Sequence, residues 1–157
     1  TMSIAATAKS RIYIGSANAT ISTLAAFEAD TFTEIGEVED LGEWGAEGTE
    51  ITFKSLADGH VRRRKGTIDS GKVSLVCARD PLDAGQIKAR AAVEDVLPYA
   101  FKVELSDKPS ATGTPTTFYF RAVVMSAKNA FKGADDLMKT TFELGIDGAI
   151  LEVVAAA

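Results

Sequence analysis

A chain of 157 residues, 46% hydrophobic and 25% charged, has the composition of a globular protein rather than a disordered one, and the length for one domain, 1–157, rather than two. A formal net charge of −5 excludes general nucleic-acid binding, because counterion release from phosphate needs a basic face that outweighs the rest of the surface. One Cys and one His exclude an intrachain disulfide and a zinc site of ordinary type.

The opening "TMSIAATAKSRIYIG" has no basic region followed by a long apolar run, so no signal peptide is expected. No run of about 18 apolar residues follows, so no membrane contact is expected. "RIYIG" at 11–15 predicts a first strand with Ile12 and Ile14 on one face, and "TLAAFEAD" at 23–30 is compatible with two helical turns. "FTEIGEV" at 32–38 alternates imperfectly, and glycines at 36, 42, 45 and 48 predict kinks or bulges.

"TEITFKSL" at 49–56 alternates cleanly, with Ile51 and Phe53 on one face and Glu50, Thr52 and Lys54 on the other. Asp58-Gly59 is a strong hairpin signal, since the pair tolerates positive φ where the chain reverses. The return, "VRRRKGT", is too charged to be buried on either face. "GKVSLVCARD" at 71–80 predicts a central strand through Val73, Leu75, Val76 and Cys77. "DPLDAGQIKARAAVEDV" then predicts a helix capped by Asp80, with Pro81 at its first position, an apolar face of Leu82, Ala89, Val93 and Val96, and Asp83, Arg90 and Glu94 opposite. Strands follow at 99–106, 116–127, 137–146 and 149–154, with a polar loop "DKPSATGTPT" between the first two. The pattern predicts a mainly β fold, a β-sandwich or rolled antiparallel sheet, with one flanking α-helix.

Catalytic chemistry finds little support. No Gly-x-Ser-x-Gly elbow or phosphate loop is present, and neither "EVEDLGEWG" nor "GADDLMK" has the alternation of a calcium loop. His60 directly follows Asp58-Gly59 and is read as an exposed turn residue, and Cys77 as a core residue. The carboxylates lie on Gly-rich, solvent-facing segments, where abundance argues for solvation rather than a catalytic pair. No enzyme, cofactor or metal is expected.

Charge is segregated along the chain. Glu34, Glu37, Glu39, Asp40, Glu43, Glu47 and Glu50 come with no Lys or Arg among them, and then Arg62, Arg63, Arg64 and Lys65 arrive together. A hairpin with Ile51, Phe53, Leu56 and Val61 for apolar contact, and too many charges to lie on its own core, is an arm that orders on another subunit. The acidic stretch before it offers the complementary surface, so head-to-tail stacking of identical copies would pair the two.

The stretches "FTEIGEVEDLGEWG", "SLADGHVRRRKG" and "ARDPLDAGQ", with "TFYFRAVVMS" and "FELGIDGAILEV" near the end, resemble the major tail tube proteins of long, non-contractile bacteriophage tails and of gene transfer agents. The likeness runs from "RIYIG" to "LEVV". It implies a β-sandwich with one flanking helix, assembling as homohexameric rings that stack into a hollow tube in the virion tail, built in the host cytoplasm. It further implies that a hairpin at roughly 49–70 reaches the adjacent ring, that inner sheets join around a lumen, and that the partners are the chain itself, a tape measure protein and the tail terminator and distal tail proteins. Double-stranded DNA would pass without tight binding, along a wall to which the acids at 34–47 contribute. The competing readings are a type VI secretion-like tube, a carbohydrate-binding or adhesin-like β-sandwich displaying Trp44, Tyr99 or Tyr119, and a nucleic-acid-binding module using Arg62 to Lys65. The last lacks interleaved aromatic residues for base stacking.

Overall fold

The computed structural model describes residues 4–17 and 23–157. Its strands are β1 (Arg11–Ala17), β2 (Thr33–Ile35), β3 (Val38–Asp40), β4 (Glu47–Lys54), β5 (Val61–Asp69), β6 (Lys72–Ala78), β7 (Tyr99–Glu104), β8 (Thr117–Ala130) and β9 (Lys139–Val153), and its helices are α1 (Leu24–Glu28) and α2 (Ala84–Ala92). Seven strands form one antiparallel sheet in the order β2-β1-β7-β8-β9-β6-β3, and β4 and β5 form a separate hairpin. The fold is mainly β, as expected, and α1 adds a second, short helix to the flanking one.

The sheet is rolled, and its connectivity shows why. β2 and β3 are its two opposite edges, yet only Gly36 and Glu37 separate them. Three Cα steps of about 3.8 Å put Ile35 and Val38 no more than about 11 Å apart, so the edges must meet. Glu37 takes φ 57° at this junction, and its carbonyl accepts the amide of Ala78 at 2.9 Å, tying the seam to the end of β6.

Rolling turns one face of each strand inward. Ile12 and Ile14 of β1, Val73, Leu75 and Cys77 of β6, Phe101 and Val103 of β7, Phe120, Ala122 and Val124 of β8, and Phe142 and Leu144 of β9 form one buried cluster. Phe101 and Phe120 stack at 5.7 Å within it. Each fully buried side chain of this size contributes about 1.5–3 kcal/mol. On the outer face, α1 is capped by Thr23, whose Oγ1 accepts the Ala26 amide at 3.3 Å, and it lays Phe27 on Tyr119 at 5.7 Å.

Four local expectations are corrected. The flanking helix starts at Ala84, not at Pro81, and its cap is Asp83 rather than Asp80. Asp83 Oδ2 accepts both the Gln86 amide at 2.9 Å and the Gly36 amide at 3.1 Å, so it serves helix and seam together, while Asp80 Oδ1 holds a local turn through the Leu82 amide at 2.9 Å. Leu82 and Val96, expected on the apolar face, lie beyond the helix ends and are exposed; the buried face is Gly85, Gln86, Ala89 and Ala92. Small residues win because the helix lies directly on backbone: a Cβ on Gly85 would stand 2.1 Å from the Glu34 carbonyl oxygen.

Third, β6 is not central. It stands next to edge strand β3, with Val76 on its outer face beside Asp40, and the middle strand is β8. Fourth, the segments at 137–146 and 149–154 form the single strand β9, which continues through Gly148 at φ 88° by means of a bulge opposite Tyr119–Arg121.

Candidate assembly surfaces

β4 and β5 pair from Glu47↔Asp69 to Lys54↔Val61, close to the span anticipated at 49–70, and Gly59 takes φ 68° in the connecting turn. The arm stands off the body: β4 is exposed at every residue. Register places Ile51 opposite Arg64 and Phe53 opposite Arg62, so one face carries two apolar and two basic side chains. Phe53 is 64% exposed, Ile51 54%, and Leu56 at the tip is fully exposed; Val61 is 45% exposed on the opposite face, beside Lys54.

The basic run is partly neutralised by the arm itself. Arg62 pairs with Asp58, and Arg63 Nε with Glu50 Oε1 at 2.6 Å. The His60 amide first, and then the Arg62 guanidinium, hold the Asp58 carboxyl below the usual carboxylate range. Arg64 donates only to the Arg63 carbonyl, at 3.0 Å, and neither it nor Lys65 has an ion pair among the described residues.

The acidic set is spread from the seam to the arm's base. Glu34 lies 3.6 Å from Arg11, and Glu39 pairs with Lys139 Nζ at 2.7 Å. Asp40 Oδ1 accepts the Gly42 amide at 2.7 Å. Glu37, Glu43 and Glu47 are exposed. Several charges on the outer face of the roll are paired: besides the two pairs named, Lys72 meets Glu143 and Lys102 meets Glu104, each at 3.6 Å, and Arg121 meets Asp147 at 3.9 Å.

Two long strands leave half-edges open. Among the described residues, β7 pairs with β8 only up to Ala122, so Val123–Ala130 has a strand on one side alone. β6 likewise pairs with β9 only from Lys139 to Gly145; beyond it, Gly71 and Ser70 hold Ile146 and Gly148, and Ala149–Val153 pairs among the described residues with β8 alone. The open halves lie on opposite sides of the β8–β9 pair and run antiparallel.

Beside the second open half-edge lies an open groove of about 710 Å³, lined by Leu41, Trp44, Ile68, Leu105, Phe118 and Ile150, with Glu43 and Glu152 also on its wall. Trp44 is held edge-on to Phe118 at 5.4 Å and against Phe120 at 5.3 Å. The proposed aromatic platform is therefore not assembled: Trp44 is in this groove, Tyr99 donates to Asp95 at 3.0 Å, and Tyr119 is stacked under Phe27 on the other face. His60 lies in the arm's turn, where its amide donates to Asp58 at 3.0 Å, and Cys77 is buried, its thiol pushed up to about 12 by desolvation.

Solved structures share this fold. The sheath/tube terminator of the extracellular contractile injection system PVC, in its extended state, matches with a TM-score of 0.68 at 13% identity over 96% of this chain and 97% of that one. A chain of the anti-feeding prophage (AFP) baseplate matches at 0.67, with 10% identity over 98% of both chains. The SPP1 tail tube matches at 0.64, with 13% identity over 91% of this chain and 75% of that one. The chain has the tail-tube fold. Neither a family model nor a curated protein matches the sequence.

The sequence pattern located the hairpin and its basic run, and it missed the half-edges and the groove. The strand lengths carried a signal for the first: β8 and β9, of 14 and 15 residues, outrun the 6 of β7 and the 7 of β6. The groove had none, since its lining comes from segments far apart in the chain.

Proposed function

We propose that the chain is the subunit of a tube in a phage tail or phage-derived injection device, with no enzymatic role. Copies close into rings of six, and rings stack head to tail around a lumen that conducts the genome. The observation that carries this reading is the pair of open half-edges. Each presents unpaired backbone donors and acceptors, which favour strand addition. Because the two edges differ and lie on opposite sides, joining Val123–Ala130 of one copy to Ala149–Val153 of the next is a heterologous contact, the kind that repeats into a ring. The arm then supplies contact between rings.

The resemblance of the chain, from "RIYIG" to "LEVV" and above all over residues 31–86, to tail tubes of long non-contractile phages and gene transfer agents supports such a virion tail, built in the host cytoplasm. A tape measure protein inside and terminator and distal tail proteins at the ends are the partners this places around the tube. Negative-stain electron microscopy of the purified protein tests the reading. Rings or tubes with a central hole are expected; single copies persisting by light scattering at high concentration, in low and moderate salt, would overturn it.

A further inference from the structure

The exposed apolar groove and the exposed apolar arm have no partner among the described residues. Ile68, at the arm's base, lines the groove, so the arm leaves the body beside it. The six residue-to-residue steps of strand from Gly48 to Lys54 carry the tip about 20 Å away, at roughly 3.3 Å per step. The tip therefore cannot fold back into its own groove without unpairing the hairpin.

Volume, polarity and charge fit the arm of another copy. The groove's 710 Å³ lies within the roughly 300–1,000 Å³ of sites that hold ligands, and its lining is mostly apolar and aromatic. The arm's Ile51–Phe53 face is apolar and flanked by Arg62 and Arg64, and Glu43 and Glu152 stand on the groove wall. Arg64, which has no carboxylate partner of its own, would gain one there. A guanidinium beside an indole gains a further cation–π attraction.

We propose that the groove around Trp44 is the receptor for the arm of a second copy, with Phe53 seated against Trp44 and Arg64 facing Glu43 or Glu152. This rests on the tube reading for its setting, since it makes the groove the socket through which successive rings engage. It also gives the chain's sole Trp a measurable role.

Full-length Arg62→Cys and Ala46→Cys chains, purified separately, mixed and oxidised, test it: Arg62 is the cross-strand neighbour of Phe53 and Ala46 lines the groove, so the docking side chains stay in place, and native Cys77 is buried and stays out of the reaction. A disulfide-linked pair should form in the mixture and in neither variant alone, and Glu94→Cys in place of Ala46→Cys should give none. Trp44 emission should move to shorter wavelength in sedimented assemblies of the unmodified chain and stay unshifted in Phe53→Ala. Assemblies that sediment without the cross-link, or that cross-link through Glu94→Cys instead, overturn the docking proposal and leave the tube reading standing. If nothing sediments, the tube reading fails, and the same cross-link at high protein concentration still decides docking, because it needs only two copies. A Trp44 shift in single copies without any cross-link would mean a small apolar molecule occupies the groove, and would also overturn the proposal.

Discussion

Gln86 donates from Nε2 to the carbonyl of Gly36 at 3.0 Å and to that of Ala78 at 2.9 Å, so one buried amide spans the seam where the rolled sheet closes. Its Oε1 accepts the Asp80 amide at 3.0 Å and lies 3.4 Å from Arg90 Nη1, which leaves no unsatisfied capacity on the side chain. Gln86→Leu would strand two carbonyls and an amide out of water. At about 1–3 kcal/mol for each of these three groups, a loss of at least about 3 kcal/mol is expected by urea unfolding of the unassembled chain. Gln86→Glu should fail with a pH signature. Its ionised form would face two carbonyl oxygens, raising its folded pKa, so stability should fall as pH rises above the ordinary Glu value of about 4.3. A loss under about 1 kcal/mol for Gln86→Leu would mean the clip is dispensable.

Gly85→Ala is expected to destabilise although Ala is the better helix former by about 1 kcal/mol. The added Cβ would stand 2.1 Å from the Glu34 oxygen and 2.6 Å from the Ile35 Cα, both backbone atoms of a strand that cannot give way without opening the seam. Overpacking of this kind costs about 1–3 kcal/mol or more, so the net thermal shift should be downward. An unchanged or raised Tm would show that α2 can move outward at no cost.

The contrast between Gln86 and the strands explains what was legible in the sequence. Ile12 and Ile14, or Val73, Leu75 and Cys77, alternate on a period of two that any strand with one buried face imposes, so their burial could be read directly. The hairpin turn was equally local, since Asp58-Gly59 is a backbone requirement written in two residues. Gln86 looks like a solvated helix residue until the seam is known, and Leu82 and Val96 look buried until the helix is seen to be nine residues long. The sequence did carry a cap signature at Asp83-Ala-Gly-Gln86, which competed with Asp80-Pro81; the Gly36 amide decided between them. Edges and groove depend on where strands stop relative to their neighbours, which is tertiary information.

Cys77 should be inert in the native chain. Burial first, and then the nearby Asp83 charge, push its thiol to about 12, so almost no thiolate exists at neutral pH. A thiol-specific reagent at pH 8 should label it only as fast as the chain unfolds, with the rate rising in urea in step with the unfolded fraction. Rapid stoichiometric labelling of folded protein would mean that edge strand β3, paired over Cys77, opens locally from β6.

Charge reversal of Arg62, Arg63 and Arg64 to Glu should leave a folded chain that no longer forms tubes. The hairpin is exposed, and solvent-exposed ion pairs are worth about 0–1 kcal/mol each, so losing the Asp58 and Glu50 contacts costs the body little. At a repeated contact with an acidic neighbour, however, like-charge juxtaposition costs several kcal/mol per interface. Unchanged far-ultraviolet circular dichroism with no tubes by electron microscopy is the expected pair of results. Tubes of normal length from the triple variant would refute a stacking role for the arm.

Assembled tubes should not bind double-stranded DNA at physiological salt, despite four consecutive basic residues at 62–65. Counterion release requires cations that can reach phosphate. On the outer face of the roll, Arg11, Lys72, Lys102, Arg121 and Lys139 each already stand within 4 Å of a carboxylate, which lowers the basic potential a duplex would find there. Lys54, Arg64 and Lys65 are the cations of the arm without an ion pair among the described residues, and docking on the acids of another copy would remove Arg64 and Lys65 from reach. What then remains is the acidic surplus behind the net charge of −5, whose repulsion extends about 8 Å at physiological ionic strength. The unassembled chain, with its arm free, should bind weakly and lose that binding steeply as salt rises. Parallel salt titrations of unassembled chain and tube against one labelled duplex separate the two states: micromolar or tighter affinity for tubes would place Arg64 and Lys65 on the DNA-facing wall and exclude their burial between rings.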